Sequence, residues 1–179
     1  HVGMVGWQPA VTDEMISGTT GQSRRIEAVK ASLVNKTGIS GNLHYSSHVS
    51  WVGWQDWKNA NEISGTTGQF KSVEAIRFML TSDLAKSYDI WYRAYSQYVG
   101  WMGWAKNGEP AGITGGPGNN IEALEIRLVH KGSSAPEDSG QAFKNVNTKG
   151  DSSPLAASIS SHVGMVGWQP AVTDEMISG

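Results

Sequence analysis

Cysteine is absent from the 179 residues, and this absence excludes several kinds of chemistry at once. Without thiols the chain can form no disulfide bond, no thiolate zinc site and no cysteine nucleophile. The sequence also contains no run of about 18 apolar residues, so it predicts no membrane-spanning helix. No positively charged start followed by an apolar stretch is visible, so it shows no signal peptide.

A basic excess is missing as well. The chain has 14 Lys and Arg against 16 Asp and Glu, which gives a formal net charge of −2. Proteins that capture nucleic acid or anionic membranes through their surface charge need a positive field. We therefore expect no nucleic-acid partner and no membrane insertion.

Glycine and tryptophan are abundant instead, with 22 and 8 residues. Many glycines and aromatics with few charges indicate short strands and tight turns rather than long helices. The first 18 residues, HVGMVGWQPAVTDEMISG, recur letter for letter at 162–179. Because both ends lie inside this repeated text, we expect the sequence to be part of a longer array of repeats.

The repeats can be aligned on a Gly-Trp pair. Successive pairs are separated by 47, 50 and 64 residues, at 6–7, 53–54, 103–104 and 167–168. A glycine turn follows each of the first three pairs, as GTTGQ, GTTGQ and GITGG, and begins at Gly18, Gly65 and Gly112. This periodicity predicts three repeats, at about 1–43, 44–90 and 91–131, and the start of a fourth.

Each repeat reads as a series of strands joined by turns. In the last long segment of the second repeat, Glu74, Ile76, Phe78 and Leu80 alternate with Val73, Ala75, Arg77 and Met79. Such alternation is typical of β-strands. The sequence predicts an all-β fold in which three repeats share one core, as a pseudo-threefold β-prism-like domain or alternatively a β-trefoil. Residues 132–158 have the Ser, Gly, Asn and Pro composition of a flexible linker, and residues 159–179 begin a further repeat.

The repeated motif resembles a known family. The pattern Tyr/His-x-x-x-Gly-Trp, then Gly-Thr-Thr-Gly-Gln, then Glu-Ala-Ile/Val/Leu is similar to the ChW repeats, named for clostridial hydrophobic repeats with a tryptophan. The resemblance covers residues 1–34, 45–81, 92–129 and the copy at 162–179. It implies a secreted or surface-displayed bacterial module that binds polysaccharide or other surface proteins and catalyses nothing.

A glutamate begins the long segment of every repeat, at Glu27, Glu74 and Glu122. Each lies on the same side as apolar neighbours, so its carboxylate needs hydrogen-bond partners. One interpretation is structural, with the carboxylate bonded to backbone N–H groups of the glycine turn or to a Trp indole. The other is a carboxylate, Glu74 above all, that binds a sugar hydroxyl.

The tryptophans also allow either a structural or a ligand-binding interpretation. The Gly-Trp positions Trp7, Trp54 and Trp104 recur in every repeat, which predicts core packing, although Trp54 is also a candidate ligand contact. Trp51 and Trp101, aligned with Met4, are predicted to be apolar fillers and are the next candidates for a surface role. For Trp57 a flat platform for a sugar ring and a packing role are both open.

Few features of the sequence indicate metal binding or catalysis. His1, His48 and His162 occupy one repeat position, which Tyr98 takes in the third repeat, and they are too far apart in sequence to suggest a converging metal site. No nucleophile elbow and no phosphate-binding glycine loop are present. We expect no enzyme activity, no metal and no cofactor.

Two functions remain as hypotheses for an extracellular or bacterial cell-surface protein. The first is a carbohydrate-binding module for cell-wall or other polysaccharide. The second is a protein-protein interaction or assembly module in which residues 159–179 exchange a strand with the place of the opening copy, within one molecule or between two. The alternative explanation of the terminal copy is simply the next repeat of the array.

Overall fold

In a computed structural model of the protein, the chain divides into two bodies, residues His1–Asn147 and Thr148–Gly179. The structure describes residues 1–137 and 140–146, and the backbone of four short strands between 158 and 173. The other residues of the predicted linker and of the terminal copy lie outside the described residues. Strands dominate the described residues, so the all-β prediction is confirmed.

The strands follow the three repeats. Repeat one contributes β1 (Ile16–Gly18) and β2 (Ala28–Lys30). Repeat two and the turn after it hold β3 (Leu43–Val49), β4 (Gly53–Trp54), β5 (Lys58–Asn59), β6 (Ile63–Gly65), β7 (Val73–Leu80) and the helix α1 (Ser82–Ser87). Repeat three holds β8 (Tyr88–Ser96), β9 (Gly100–Trp101), β10 (Ala105–Lys106), β11 (Ala111–Thr114) and β12 (Ile121–His130).

The last strand of the first body is β13 (Phe143–Asn145). Four short strands are described in the second body. They are β14 (Ser158–Ile159), β15 (His162–Val163), β16 (Gly167–Trp168) and β17 (Val172–Thr173). β14 pairs with β17 and β15 pairs with β16, all antiparallel. None of the helices among the described residues has the length and apolar character needed to cross a membrane.

Within a repeat, the first strand pairs with the last. β3 runs antiparallel to β7, and β8 runs antiparallel to β12. Along β7 the side chains of Glu74, Ile76, Phe78 and Leu80 are buried, whereas Arg77 and Met79 are partly exposed on the outer face. The strand is confirmed, and burial alternates over residues 76–80 as predicted, but Val73 and Ala75 are buried as well and the register of β7 against β3 shifts between them.

Between repeats, the middle strands are exchanged around a closed ring. β1 of repeat one pairs with β12 of repeat three, β6 of repeat two with β2 of repeat one, and β11 of repeat three with β7 of repeat two. Every repeat thus gives one strand and receives one, as a pseudo-threefold arrangement requires. The choice between a prism and a trefoil stays a prediction.

The glycine that begins each turn makes this exchange possible. Gly18, Gly65 and Gly112 all have positive φ, between 103° and 121°. A Cβ at any of them would overlap the backbone carbonyl oxygen of the glutamate in the neighbouring repeat. Only glycine tolerates both conditions, so these positions are structural, as the sequence predicted.

The three repeats share one core. At its centre the ring of Phe78 lies between those of Tyr45 and Tyr92, with centroid separations of 5.7 and 5.1 Å. All three side chains are fully buried, which stabilises the fold by roughly 2–3 kcal/mol for each. The Tyr45 hydroxyl accepts the Ala31 N–H at 3.1 Å and donates to the Glu62 carbonyl oxygen, so it ties repeat two to repeat one.

A strand lies where the sequence predicted only linker. β13 pairs in parallel with β11, so residues 112–114 lie opposite residues 143–145. We name residues 140–146 the strap. The first body therefore extends to Asn147 rather than ending at residue 131. The polar, glycine-containing composition of this segment does not show that it can pair with the unpaired edge of β11.

The strap docks on repeat three because that repeat has no side chain of its own that accepts the N–H group of Gly112. In repeat two, the side chain of Gln55 accepts the Gly65 N–H at 2.6 Å and satisfies the edge of β6. Repeat three has Met102 at the position of Gln55, and Met102 cannot accept this bond. The Gly112 N–H donates instead to the Ala142 carbonyl oxygen of the strap, at 2.9 Å.

Gly103 leaves the space for the strap. A Cβ at this position would overlap the carbonyl oxygen of Gly140, and the Gly103 N–H donates to the Gln141 carbonyl oxygen at 3.1 Å. The other repeats carry Pro9 and Asp56 at the same position. The strap is therefore specific to repeat three by both hydrogen bonding and shape.

Candidate functional site

One tryptophan in each repeat is held by an aromatic neighbour in the same geometry. His1 meets Trp7, His48 meets Trp54 and Tyr95 meets Trp101 edge-on, each with 5.5 Å between ring centroids. The backbone pairings agree, because His48 lies opposite Trp54 and Tyr95 lies opposite Trp101. The period is thus 47 residues throughout.

This geometry corrects the alignment of repeat three. That repeat contains two Gly-Trp pairs, and the sequence analysis chose the second, Gly103-Trp104. Structurally, Trp101 rather than Trp104 corresponds to Trp54, and Tyr95 rather than Tyr98 takes the histidine position. Trp104 corresponds to Trp57, at the second tryptophan position of the repeat.

Each repeat has one residue at the tip of the turn that precedes its Gly-Trp pair, and these three residues correspond to one another. Met4, Trp51 and Tyr98 all have left-handed backbones with φ of 64° to 65°. The Trp51 side chain is 96% exposed, so the prediction that it fills the core is wrong. Trp51 stands at a turn tip and is not brought together with the other candidate tryptophans.

Repeat two assembles the most open cluster of aromatic side chains. The guanidinium of Arg77 lies 4.5 Å from the ring centroid of Trp54 and 4.4 Å from that of Trp57. Arg77 reaches them because it faces outward from β7, while β4 carries Trp54 beside the same sheet. Each indole is 36% exposed. We name Trp54, Arg77 and Trp57 the repeat-two platform.

The arginine of this platform has unused donors. Its Nε atom is buried and has no hydrogen-bond partner, and no carboxylate among residues 1–137 and 140–146 pairs with Arg77. Cation–π contacts of this kind hold a guanidinium in place without using its N–H groups as hydrogen-bond donors. The platform therefore combines two apolar faces with a positioned donor group.

Repeat three builds a related but closed cluster. Arg93 lies over Trp101 and Trp104 at 4.5 and 4.7 Å, and Arg127 lies over Trp104 at 4.8 Å. Glu125 pairs with both arginines at 2.8 Å. Trp104 is only 8% exposed, which agrees with its predicted packing role and leaves it little surface for a ligand.

Repeat one lacks the cluster. Trp7 is half exposed, but Ala10 stands where the platform has Trp57 and Lys30 stands where it has Arg77. The Gly-Trp tryptophans were predicted to be core residues, and that prediction is wrong for Trp7 and Trp54. The recurrence reflects a conserved turn geometry at the sheet surface rather than burial.

The three repeat glutamates are buried, each with its own partners. Glu27 contacts Arg25 at 2.8 Å and His1 at 3.5 Å, and Glu74 contacts His48 at 3.1 Å. Burial raises the pKa of the Glu74 carboxyl and lowers the pKa of the His48 imidazole. With Glu74 turned towards His48, the structure does not place it on the open face of the platform.

Glu122 has the partner that the structural interpretation named. Its carboxylate accepts the backbone N–H of Gln22, in the glycine turn of repeat one, at 3.2 Å. Within the part of the chain that the structure describes, no group of three or more His, Asp or Glu side chains could hold a metal ion.

The arginines of these clusters were not among the residues predicted from the sequence. Arg77, Arg93 and Arg127 hold the tryptophan clusters, yet nothing in their local sequence marks them as functional. The available signal was the spacing Trp-x-x-Trp, present in repeats two and three and interrupted by Ala10 in repeat one. Residues three apart would face opposite sides of a straight strand, but Trp57 lies in the segment between β4 and β5, and the two indoles come close enough for one long cationic side chain to contact both.

Comparisons with known proteins agree with the repeats seen in the structure. The sequence model of the ChW family, described as Clostridial hydrophobic W, matches residues 1–35, 48–82 and 95–130. The three matches begin at His1, His48 and Tyr95, which is the 47-residue register that the ring contacts define. No curated protein and no solved structure matches the chain. The chain belongs to the ChW (Clostridial hydrophobic W) family.

Proposed function

We propose that the first body is a non-catalytic, extracellular binding module for a cell-wall or other surface polysaccharide, and that the repeat-two platform is its contact site. The observation that carries the proposal is the Arg77 guanidinium held between two exposed indoles without an acidic partner. Structural arginine–tryptophan clusters need no free donors, and the cluster of repeat three accordingly has Glu125 to neutralise it.

The chemistry of the platform suits a sugar polymer. The C–H faces of sugar rings pack against flat indoles, which supply a large, rigid and partly polar surface. The guanidinium donates to hydroxyl oxygens, and more strongly to a carboxylate or phosphate carried by an acidic polymer. An extended chain of sugar rings could therefore contact Trp54 and Trp57 while bonding to Arg77.

The experiment is an array of glycans and cell-wall polymers with the full chain, followed by titration of the strongest ligand. Trp57→Ala and Arg77→Met should each weaken binding by at least about tenfold, equal to ~1.4 kcal/mol. Met keeps the apolar stem of the arginine and removes only its donors and charge. Trp7→Ala is the matched control, since Trp7 occupies the position of Trp54 but has no platform around it.

Two results would contradict the proposal. One is the absence of any ligand on an array to which the folded protein has been applied. The other is a polysaccharide that binds Trp57→Ala and Arg77→Met as tightly as the unchanged protein, because binding would then lie elsewhere.

A second candidate is an assembly module that uses strand exchange of residues 159–179. On the side of β2 opposite β6, the backbone of His1 bonds to Ala28, but no strand among the described residues continues along that edge, where the other repeats have β3 and β8. The nearby surface holds an apolar groove of about 150 Å³ lined by Leu33, Leu80, Leu84, Tyr88 and Leu128. The sequence before the terminal copy, ASISSHV, parallels the start of repeat two and could supply such a strand.

Sedimentation at several concentrations tests this candidate. If the terminal segment exchanges, the full chain forms oligomers whose fraction rises with concentration, or gains stability relative to a chain that ends at residue 147 and keeps the strap. If both chains stay monomeric and are equally stable at all concentrations, strand exchange is ruled out.

A further inference from the structure

The three seams between neighbouring repeats are not equivalent. At each seam the glycine turn of one repeat packs against the glutamate of another, so Gly18 lies against Glu122, Gly65 against Glu27 and Gly112 against Glu74. The same contact recurs in the hydrogen bonds from Thr19 and Thr66, whose N–H groups donate to the neighbouring glutamate carbonyl. Differences between the seams therefore come from the side chains around a common backbone.

In two of the seams a basic side chain lies against the carboxylate, an arginine and a histidine at Glu27 and a histidine alone at Glu74. Glu27 pairs with Arg25 at 2.8 Å and has His1 at 3.5 Å, and the Phe70 ring lies 5.8 Å from the Arg25 guanidinium. Glu74 has His48 at 3.1 Å. In both cases a basic side chain of the protein stands beside the acid.

The seam between repeats one and three lacks these groups. Tyr95 stands in the histidine position and Asn120 in the position of Arg25, where its side chain bonds to Gln97 at 2.6 Å. Ser23 stands in the position of Phe70, and the two share a left-handed backbone with φ of 54° and 56°. Tyr95 and Asn120 thus replace basic side chains, and Ser23 replaces a large aromatic side chain.

A cavity of about 340 Å³ occupies the space that results. Its lining comes from both repeats and includes Gly21, Ser23, Tyr95, Gln97, Tyr98 and Glu122. The volume lies within the range of small-ligand sites. Tyr95 faces repeat one, since a Cβ at Gly21 would lie 3.6 Å from its hydroxyl oxygen.

The carboxylate of this cavity has no cationic partner. Glu122 is 1% exposed and accepts one backbone N–H, from Gln22. No Lys, Arg or His side chain pairs with it among residues 1–137 and 140–146. A buried carboxylate without a counter-charge is costly unless a ligand supplies the charge or further donors.

We propose that this seam is a second binding site, which takes a small ligand or a polymer terminus bearing an ammonium group. The ammonium would pair with Glu122, and the tyrosine rings of Tyr95 and Tyr98 would face it, as aromatic rings attract organic cations. The Ser23 hydroxyl and the Gln97 side chain supply hydrogen bonds to neighbouring hydroxyls. An amino sugar and a simple primary amine share this chemistry.

The site is independent of the repeat-two platform and is tested separately. The full chain is titrated with glucosamine, N-acetylglucosamine and n-butylamine, and amide shifts of the backbone are followed by NMR. Glucosamine should shift the amides of residues 21–23 and 97–100, whereas N-acetylglucosamine, which has no ammonium, should not. Trp57→Ala should leave the glucosamine affinity unchanged, so a failure of one proposal is distinguishable from a failure of the other.

Two variants locate the ligand. Glu122→Gln keeps the size of the side chain and an oxygen for the Gln22 N–H, and it should weaken glucosamine binding at least about tenfold. Glu27→Gln, in a seam closed by Arg25, is the matched control. Ser23→Phe copies the side chain of Phe70 and should fill the cavity without touching the acid, so it decides the question if Glu122→Gln fails to fold.

The outcomes separate the sources of the ammonium group. Binding of both glucosamine and n-butylamine supports recognition of amines in general, and binding of glucosamine alone supports an amino sugar. Equal binding of N-acetylglucosamine, unchanged binding in Glu122→Gln and Ser23→Phe, or no shift with any of the three compounds would overturn the proposal.

Discussion

The strap predicts that a single methyl group at Gly103 destabilises the protein. In Gly103→Ala the new Cβ would overlap the carbonyl oxygen of Gly140, and the body around Gly103 cannot yield because Trp104 and Ala105 next to it are buried. Gly103 does not have a positive φ, so alanine introduces no backbone strain of its own. The strap must therefore move away.

The size of the effect follows from what the strap loses. At least three backbone hydrogen bonds connect it to repeat three, between Gly103 and Gln141, Gly112 and Ala142, and Val146 and Thr114, in addition to the parallel pairing of β11 with β13. At a net value of roughly 1 kcal/mol for each bond, the free energy of unfolding should fall by about 3 kcal/mol or more. The loss cannot exceed the docking free energy of the strap, because the strap can detach while the rest of the body stays folded.

Urea unfolding followed by tryptophan fluorescence measures the free energy, and limited proteolysis followed by mass spectrometry measures strap exposure. We expect Gly103→Ala to unfold at lower urea and to be cleaved near Lys144. Asp56→Ala is the control at the same repeat position, where no strap is docked, and it should change neither measurement. A loss below about 0.5 kcal/mol with unchanged protection of the strap would refute the reasoning.

The remaining predictions concern the ring and one buried acid. Gly65 and Gly53 both have positive φ, but only a Cβ at Gly65 would overlap a neighbouring carbonyl oxygen. In urea unfolding, Gly65→Ala should therefore lower the free energy of unfolding by more than about 3 kcal/mol and Gly53→Ala by about 1 kcal/mol. Equal losses would contradict the contact between repeats at Gly65. Lys131, hydrogen-bonded to Asp89 at 2.7 Å, lowers the pKa of this carboxyl to about 2. Because the folded-state pKa is depressed, the stabilisation is present above the ordinary pKa of 3.8 and is lost as the pH falls towards about 2. Asp89→Asn should flatten the pH dependence of thermal unfolding in that window, and a curve as steep as that of the unchanged protein would argue against this assignment.

Local patterns predicted much of the fold. The strand at residues 73–80, the glycine turns and the family motif are properties of short segments, and the structure and the family match confirm them. The site was predicted less well. Trp54 and Trp57 were candidates from the sequence, but their partner Arg77 was not, because a contact across a sheet depends on strand register rather than on neighbouring residues.

Repeat three shows where sequence alignment fails. Its two Gly-Trp pairs, at residues 100–101 and 103–104, fit the motif equally well by eye, and choosing the second moved the tryptophan and histidine positions of repeat three by three residues, although its glycine turn and glutamate stayed correctly aligned. The pairing of Tyr95 with Trp101 across β8 and β9 settles the register. With that correction Trp51 becomes an exposed turn tip instead of a core residue.

The sequence by itself determined the all-β class, the number of repeats and the glycines that allow strands to be exchanged, because each depends on period, turn chemistry or backbone conformation within a few residues. Only the tertiary structure decided which tryptophans stand around an arginine, which seam keeps an unpaired carboxylate, and where the strap docks. Those features depend on side chains far apart in the chain, such as Gly103 and Gly140 or Gln22 and Glu122, and only the closed ring of repeats brings them together.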